Sequence, residues 1–350
     1  IFDSKLNIIT YDFLESSIES NKRFSYQEVQ NILENGEKNS FLNSFLLLKN
    51  ITNMIRSKRL AKNGLDVKYE ENTFVLGKDG VPKNINKNKI LVSHIIIEEC
   101  MMLANRLAAK KLLGVNLDGD KGVYRNHERP NRKNEEFIIN LLNFIDKDGE
   151  FVSEKFSANF LNEFFDKIKL KSNYSALSKV VIRKMQKAAY SSNNLGHFGL
   201  GFSEYTHFTS PIRRYSDIMV HRIIKKSLKN QNSIYEIIDH CNKGEIVAQN
   251  AEREYKTLKS LKWLKNKEGE TLEANIVEIS KSKLTVNETL TGINGYLHRK
   301  ILPMDKYLIS GNNMVMLGTN NNQKFSVGQC VNVSVDKIDM ILQEVYFKLA

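Results

Sequence analysis

Residues 196–222 read GHFGLGFSEYTHFTSPIRRYSDIMVHR, from Gly196 to Arg222. His197, His207, Ser210, Arg213, Arg214, Asp217, His221 and Arg222 all fall in this short span. Thr209-Ser210-Pro211 has the composition of a helix start, hydroxyl side chains suited to capping followed by proline at the first helical position, and predicts a helix from Pro211 to Leu228. Arg213 and Arg214 then fall in the first turn, where cations oppose the helix dipole. Two arginines make sense there if a phosphate sits at the helix start, held by free backbone N–H groups and guanidinium forks together. The alternative is two solvated arginines on a surface helix, and the residues alone leave both readings open. His221 stands one turn after Asp217, where the two could pair.

The bulk properties bound the reading. A chain of 350 residues with 41% hydrophobic content can bury a sizeable core and has room for two domains, or one large and one small. The net charge of +12 suits a polyanionic partner, nucleic acid ahead of a membrane surface. A basic bias from an AT-rich genome is the competing explanation, since Lys, Asn and Ile are all abundant and the charge is spread rather than blocked. Cys100, Cys241 and Cys330 are far apart and make no metal-ligand spacing; with no signal peptide, a cytoplasmic location is expected. No run of about 18 uncharged apolar residues exists, so no membrane span is expected. The chain opens on Ile1 rather than Met and is expected to be a piece of a longer polypeptide.

Helical periodicity runs from Tyr26 to Arg59, ended by Lys62-Asn63-Gly64. A strand pair is expected at Leu65–Tyr69 and Thr73–Leu76, with Gly77–Gly80 as a turn. Leu91–Leu113 reads as a long apolar helix capped by Gly114, and Val123–Arg125 as a strand. Further helices are expected near Lys133–Phe144, Ser153–Leu170, Val180–Tyr190 and Ile234–Lys265. The composition then shifts. Strand-like runs recur at Leu272–Ile279, Lys283–Asn287, Gly295–Leu297, Asn313–Leu317, Cys330–Asp336 and Glu344–Leu349. About five short strands in some eighty residues predict a small β-barrel of the oligonucleotide-binding type, with Thr319–Asn322 as a loop.

The blocks GHFGL (196–200) and YTHFTSPIRRYSD (205–217) resemble the signature of the RNB family of exoribonucleases, the ribonuclease II and ribonuclease R group, at the family's separation. The terminal strands resemble the S1 domain that closes those enzymes. The resemblance implies an α+β chain. Residues 1–267 would be the mostly helical C-terminal part of an RNB catalytic domain, and 268–350 a small S1/OB-type β-barrel, with the boundary near Lys267-Glu268-Gly269.

The resemblance also assigns roles. The first arginine of the family's SPIRR motif is close to the scissile phosphate; here that is Arg213, the expected catalytic residue, where a fixed guanidinium would stabilise developing phosphoryl charge. Arg214, His207 and Ser210 are expected to contact RNA, the first two through backbone phosphates. IEECMMLAN (97–105) is similar to a block in which a glutamate lines the RNA channel, which would be Glu98 or Glu99. On residues alone, Glu98 and Asn105 share one helix face, Glu99 and Arg106 a neighbouring one, and a structural hydrogen-bond network competes. VYRNHERP (123–130) is family-like; Tyr124 and His127 could stack on or bond RNA, or Tyr124 could fill a sheet edge. Phe74, in the family-like NTFVLGKDG (72–80), is a possible stacking residue or a buried strand phenylalanine. Glu252, in NAEREY (250–255), would lie near RNA or on a solvated face. His197 and His221 read as structural.

RNB enzymes hydrolyse RNA with magnesium held by an aspartate cluster, which lies upstream of everything matched here. The Mg2+ ligands are therefore expected outside this chain, with no metal ligand inside it. Asp118/Asp120 and Asp146/Asp148 sit in Gly-bearing loops, outside any family metal motif, and read as solvated. The family's cold-shock barrels and a Lys-rich tail are also absent from the sequence. The resulting expectation is the C-terminal part of a processive 3′→5′ exoribonuclease, nearer the ribonuclease R branch, acting as a monomer on single-stranded RNA and releasing nucleoside 5′-monophosphates. The alternative is an RNA-binding fragment, or a degenerate homologue, that binds without cutting.

Overall fold

The computed structural model describes residues 1–36, 39–66, 71–114, 122–146, 155–171, 173–226 and 234–350. In chain order the helices and strands begin with α1 (Tyr26–Asn35) and α2 (Leu42–Ala61), where the sequence reads as one helical run. The break is at Gly36, whose left-handed φ of 62° ends α1; Ser25 and Glu28 form a capping box at its start. Strands β1 (Glu71–Leu76) and β2 (Pro82–Asn88) make an antiparallel hairpin over the Gly77–Gly80 turn. The expected partner strand, Leu65–Tyr69, lies largely outside the described residues. The true partner, PKNINKN, is too polar to stand out by hydrophobic pattern.

Next come α3 (Val92–Leu113), β3 (Tyr124–Asn126), α4 (Arg132–Ile145), α5 (Ala158–Ile168) and α6 (Tyr174–Lys184). Capping explains two of these starts: Asn131 accepts the Asn134 N–H at 2.9 Å, and Ser157 accepts the Phe160 N–H at 3.1 Å. Residues 153–154 of the helix expected at Ser153–Leu170, and the Asp118–Asp120 loop, lie outside the described residues. The helix expected at Val180–Tyr190 begins earlier and stops at Lys184; Tyr190 instead belongs to β4 (Ala189–Ser191), paired antiparallel with β3. Then follow α7 (Tyr215–Ile224) and α8 (Ile234–Lys265).

The remaining strands are β5 (Leu272–Ile279), β6 (Lys283–Glu288), β7 (Asn294–His298), β8 (Tyr307–Ile309), β9 (Val315–Gly318), β10 (Lys324–Ser326), β11 (Cys330–Asp339) and β12 (Glu344–Leu349). Five of them close a barrel in the order β11-β12-β7-β6-β5, so the small barrel expected from the sequence is present. The run near Asn313–Leu317 is not one of its staves: β9 pairs with β8 and β10 in a separate three-stranded sheet. Bulges at Ile276/Glu278 and Val335/Lys337 bend the long strands, and one parallel pairing, β12 with β7, completes the closure. Ala274, Ile276, Leu284, Val286, Leu297, Val333, Val345 and Phe347 are buried in this part of the chain. Gly295 is needed there, because a Cβ at that position would lie 2.3 Å from the Phe347 ring.

The chain forms two compact units that interleave in sequence. The first is Ile1–Asp66, Ile90–Arg129 and Gln186–Ile246; the second is Val67–Lys89, Pro130–Met185 and Val247–Ala350, which includes the barrel. The core of the first unit joins Ala108 and Leu112 of α3, Tyr124 of β3, Tyr190 of β4, Met219, Val220 and Ile223 of α7, and Ile234 and Ile238 of α8. Among the described residues no helix is long and apolar enough to cross a membrane.

Candidate nucleic-acid interface

In the first unit, the loop from Phe208 to Arg214 is tied down from two directions. On one side is Asn105 of α3, only 3% exposed. Its Oδ1 accepts the N–H groups of Phe208 and Thr209 at 2.9 and 3.2 Å, and its Nδ2 donates to the Tyr205 hydroxyl at 2.9 Å. On the other side is Asp217 of α7, fully buried. Its Oδ2 accepts the Ser210 N–H and an Arg214 NH2 hydrogen, both at 2.8 Å, while Oδ1 accepts from the Ser216 hydroxyl at 3.1 Å.

This geometry moves the helix start. Pro211–Arg213 form a turn in which Arg213 and Arg214 donate their N–H groups to the Ser210 carbonyl, at 3.2 and 3.0 Å. Helix α7 begins only at Tyr215, with Arg214 at the N-cap. The two arginines therefore precede the helix rather than occupy its first turn, and the acid in that turn is Asp217, the sign the dipole favours. The hydroxyls do not cap: Thr209 Oγ1 is buried with no hydrogen-bond partner among the described residues. Residues 227–228 of the expected helix lie outside the described residues.

Arg213 is exposed, and its guanidinium bonds no described residue. Arg214 is largely covered and spent on Asp217. A third arginine that the motif reading passed over, Arg125, is bidentate to Glu245 at 2.6 and 2.7 Å and lies 4.6 Å over the Tyr190 ring. Arg125 and Arg214 are thus each paired with a carboxylate, whereas Arg213 has none among the described residues.

Burial disfavours the charged form of three histidines around the loop, His207, His197 and His127. His207 bonds the Tyr190 hydroxyl through Nδ1 at 2.8 Å; burial first, then Arg214, Arg125, His197 and Arg213, push it down to about 2. Burial, His127 and Arg125 push His197 down to about 3. Burial also lowers His127, whose Nδ1 accepts the Gly199 N–H at 2.9 Å, leaving Nε2 to donate to the Gln186 carbonyl at 2.8 Å. His221 does not pair with Asp217. It stacks on Phe208 at 4.1 Å and 7°, and its Nε2 lies 3.0 Å from the Phe208 carbonyl, because Asp217 is already claimed by the loop.

The other expected site residues are placed as follows. Glu98 is exposed. Glu99 is fully buried against Arg59, at 2.7 Å, with Arg56 at 3.5 Å, so the two glutamates that the sequence could not separate are distinguished by burial. Tyr124 is 2% exposed in the core and offers no ring face, which favours the packing reading. Phe74 is half-buried on β1 opposite Ile85. Glu252 is exposed on α8 and bonds Lys256, which holds its carboxyl below the usual range. Phe74 and Glu252 belong to the second unit, His207, Ser210, Arg213 and Arg214 to the first.

Asp146 is not solvated as expected. It forms an ion pair with Lys167 at 2.8 Å and its side chain is 3% exposed, because α5 brings the lysine to the end of α4. Asp148 lies outside the described residues, among which no group of three or more His, Cys, Asp or Glu side chains could hold a metal ion.

The second unit carries a different surface that no motif announced. On β7, Gly295 and Leu297 are more deeply buried than Asn294, Tyr296 and His298, which alternate with them. The parallel pairing Tyr346↔Tyr296 brings β12 alongside. Tyr346 lies 5.8 Å from the Tyr296 ring and stacks on His298 at 5.6 Å and 10°, with Lys283 Nζ 3.3 Å above Tyr296. A period-two reading of β7 would have singled out Tyr296 and His298. Asn105 had a weaker signal, a polar residue on an apolar helix. Tyr190 had none, since the local pattern reads as helix.

The RNB domain family matches residues 1–230, and the S1 RNA binding domain family matches residues 265–347. The chain is 30% identical over 356 residues to a ribonuclease R of Buchnera aphidicola, covering 96% of this chain and 48% of that protein. It is 28% identical over 358 residues to ribonuclease R 1 of Lactococcus lactis, covering 97% and 43%. It thus spans about half the length of these curated relatives. Among solved structures, the ribonuclease R of Mycoplasma genitalium in complex with ribose-methylated single-stranded RNA superposes with a TM-score of 0.83 at 24% identity, covering 94% of this chain and 53% of that one.

Proposed function

The chain belongs to the RNB family, and on that premise we propose that it is the C-terminal portion of a processive 3′→5′ exoribonuclease that hydrolyses single-stranded RNA to nucleoside 5′-monophosphates. The observation that carries this reading is the 208–214 loop: a guanidinium with no partner among the described residues, Arg213, set beside a second one immobilised by a buried carboxylate. The loop is pre-organised, so a phosphodiester meets a fixed cation and the protein need not reorder as phosphoryl charge develops.

Each group has a distinct part. Arg213 contacts the scissile phosphate. Arg214, held by Asp217, keeps the loop in register. The neutral His207 gives or accepts a hydrogen bond without adding charge. On the barrel, the Tyr296–Tyr346–His298 stripe suits base stacking, and Lys283 a neighbouring phosphate.

Magnesium belongs to the reaction by family resemblance. The described residues of this chain do not fit it: they provide no cluster of donors, and both Asp217 oxygens are occupied by Ser210, Arg214 and Ser216. No step is therefore assigned to a metal on this chain, and the chain alone is expected to bind RNA without cutting it.

The test is Arg213→Ala in the longer polypeptide that carries this chain, followed by single-turnover cleavage and RNA binding. Cleavage is expected to slow by roughly 100-fold to 1,000-fold with little change in affinity, as for loss of one donor to a developing oxyanion. Equal losses in rate and affinity would remove Arg213 from the chemical step.

A further inference from the structure

We propose that Lys179 and Arg183 form a phosphate-binding station that continues the barrel's aromatic stripe, so that single-stranded RNA is gripped by residues outside the S1 match as well as within it. The proposal rests on the RNA-binding reading above. It concerns the second unit alone, where the β1–β2 hairpin, α6 and the barrel all belong.

Lys179 of α6 is half-buried, and its Nζ lies 3.4 Å from Asn287 Oδ1. It also presses against the backbone of Gly292, where a Cβ would stand 2.6 Å from Nζ; the φ of +69° there disfavours a side chain independently. The neighbouring carboxylate, Glu288, is turned to its own loop and makes no ion pair with Lys179 within 4.0 Å. Its Oε1 accepts the Leu290 N–H at 2.8 Å, and its Oε2 accepts the Thr291 N–H at 2.7 Å and the Thr291 hydroxyl. Burial first, then Arg183 and Lys87, hold the Lys179 ammonium below its usual range, and Glu288 opposes them only in part. Lys87, Lys179 and Arg183 make no ion pair within 4.0 Å of a described carboxylate. A partly buried cation with no directly paired carboxylate is unfavourable in the free protein, and an arriving anion relieves that.

The position of the cluster says which anion. With the Asn294 amide oxygen turned toward Arg183, the guanidinium NH1 and NH2 lie 2.7 and 3.0 Å from it. Asn294 is the first of the three alternate residues on β7 that include Tyr296 and His298. The cations therefore stand at one end of a row of rings. Rings for bases next to cations for phosphates is the chemistry of a single-stranded nucleic acid, more than of a free phosphate or an acidic peptide.

The experiment measures binding of a fluorescent single-stranded RNA oligonucleotide to the full chain by anisotropy across a salt series. Lys179→Met combined with Arg183→Gln is expected to weaken binding and to flatten the log–log salt slope by about 1.4, at ~0.7 per lost phosphate contact. Arg183→Gln alone, at an exposed position, is expected to give half of that change, and Lys179→Arg to keep the parent slope. Tyr296→Ala should weaken binding with the slope unchanged. In thermal unfolding without RNA, the double variant is expected to melt no lower than the parent. An unchanged slope in the double variant, with Tyr296→Ala still weakening binding, overturns the station and leaves RNA binding intact. No binding by the parent chain overturns both. Inorganic phosphate stabilising the parent but not the double variant, with the RNA slope unchanged, assigns the cations to a free anion and overturns the nucleic-acid claim.

Discussion

The loop at 208–214 and the outer face of the barrel both offer polar groups suited to an RNA chain, but they are held by different physics. The loop has no regular structure of its own. Its shape comes from Asn105, on a helix about a hundred residues earlier in the chain, and from Asp217 just beyond it. The barrel stripe needs no such ties. Strand alternation presents Tyr296 and His298 together, and the β12–β7 register supplies Tyr346. A site built from buried polar bonds is rigid and expensive to disturb, whereas a site on a strand surface loses only what is removed.

That contrast can be broken by mutation, and the largest effect is expected at Asp217. Asp217→Ala removes the acceptor for Ser210, Arg214 and Ser216 and leaves the partly buried Arg214 without its counter-ion. It should cost about 3–5 kcal/mol in urea unfolding. A loss below about 1 kcal/mol would mean the loop is shaped by something else. Asn105→Ala strands the N–H groups of Phe208 and Thr209 and the Tyr205 hydroxyl; a destabilisation of about 1–3 kcal/mol is expected by the same measurement. On the barrel, Tyr296→Ala should leave the unfolding midpoint nearly unchanged and weaken RNA binding by about 1–3 kcal/mol by anisotropy. A large stability loss there would erase the distinction between the two regions.

The remaining contrast is read with pH. His197 and His207 fall to about 3 and about 2 in the folded protein, against an ordinary value of 6.5. Below pH 6.5 the unfolded chain therefore binds more protons than the folded one. The stability these histidines contribute is fully present above that pH and is lost as the pH falls toward 3. Melting temperatures recorded from pH 7.5 to 4.5 should decline less steeply for a His197→Gln, His207→Gln double variant than for the parent. Parallel declines would show that the carboxylates alone set the slope.

Most regular elements were legible from local pattern. The apolar run of α3 and the alternation of β5 and β12 give those elements directly, since burial of one face dictates the spacing. Errors arose where local and tertiary preferences part. One helical run became α1 and α2 because Gly36 takes a left-handed turn. β2 is nearly all Asn and Lys, and pairing with β1 makes it a strand. Tyr190, at the end of a helix-like stretch, is drawn into β4 by pairing with Arg125 and by Asn242, which takes its carbonyl and supplies an acceptor for its N–H.

By itself, the sequence determined the family and the small terminal barrel, because those depend on residue identity at short range. Only the tertiary structure decided which arginine lacks a partner among the described residues. Arg213 and Arg214 are adjacent and chemically identical. They differ because Asp217, buried and already bonded to the Ser210 N–H, has an oxygen within reach of one guanidinium and not the other. The same holds for Glu98 and Glu99, which helix rotation divides between solvent and an arginine pair, Arg59 buried and Arg56 half-buried. Neighbours in sequence share a composition, and burial gives each its own partner.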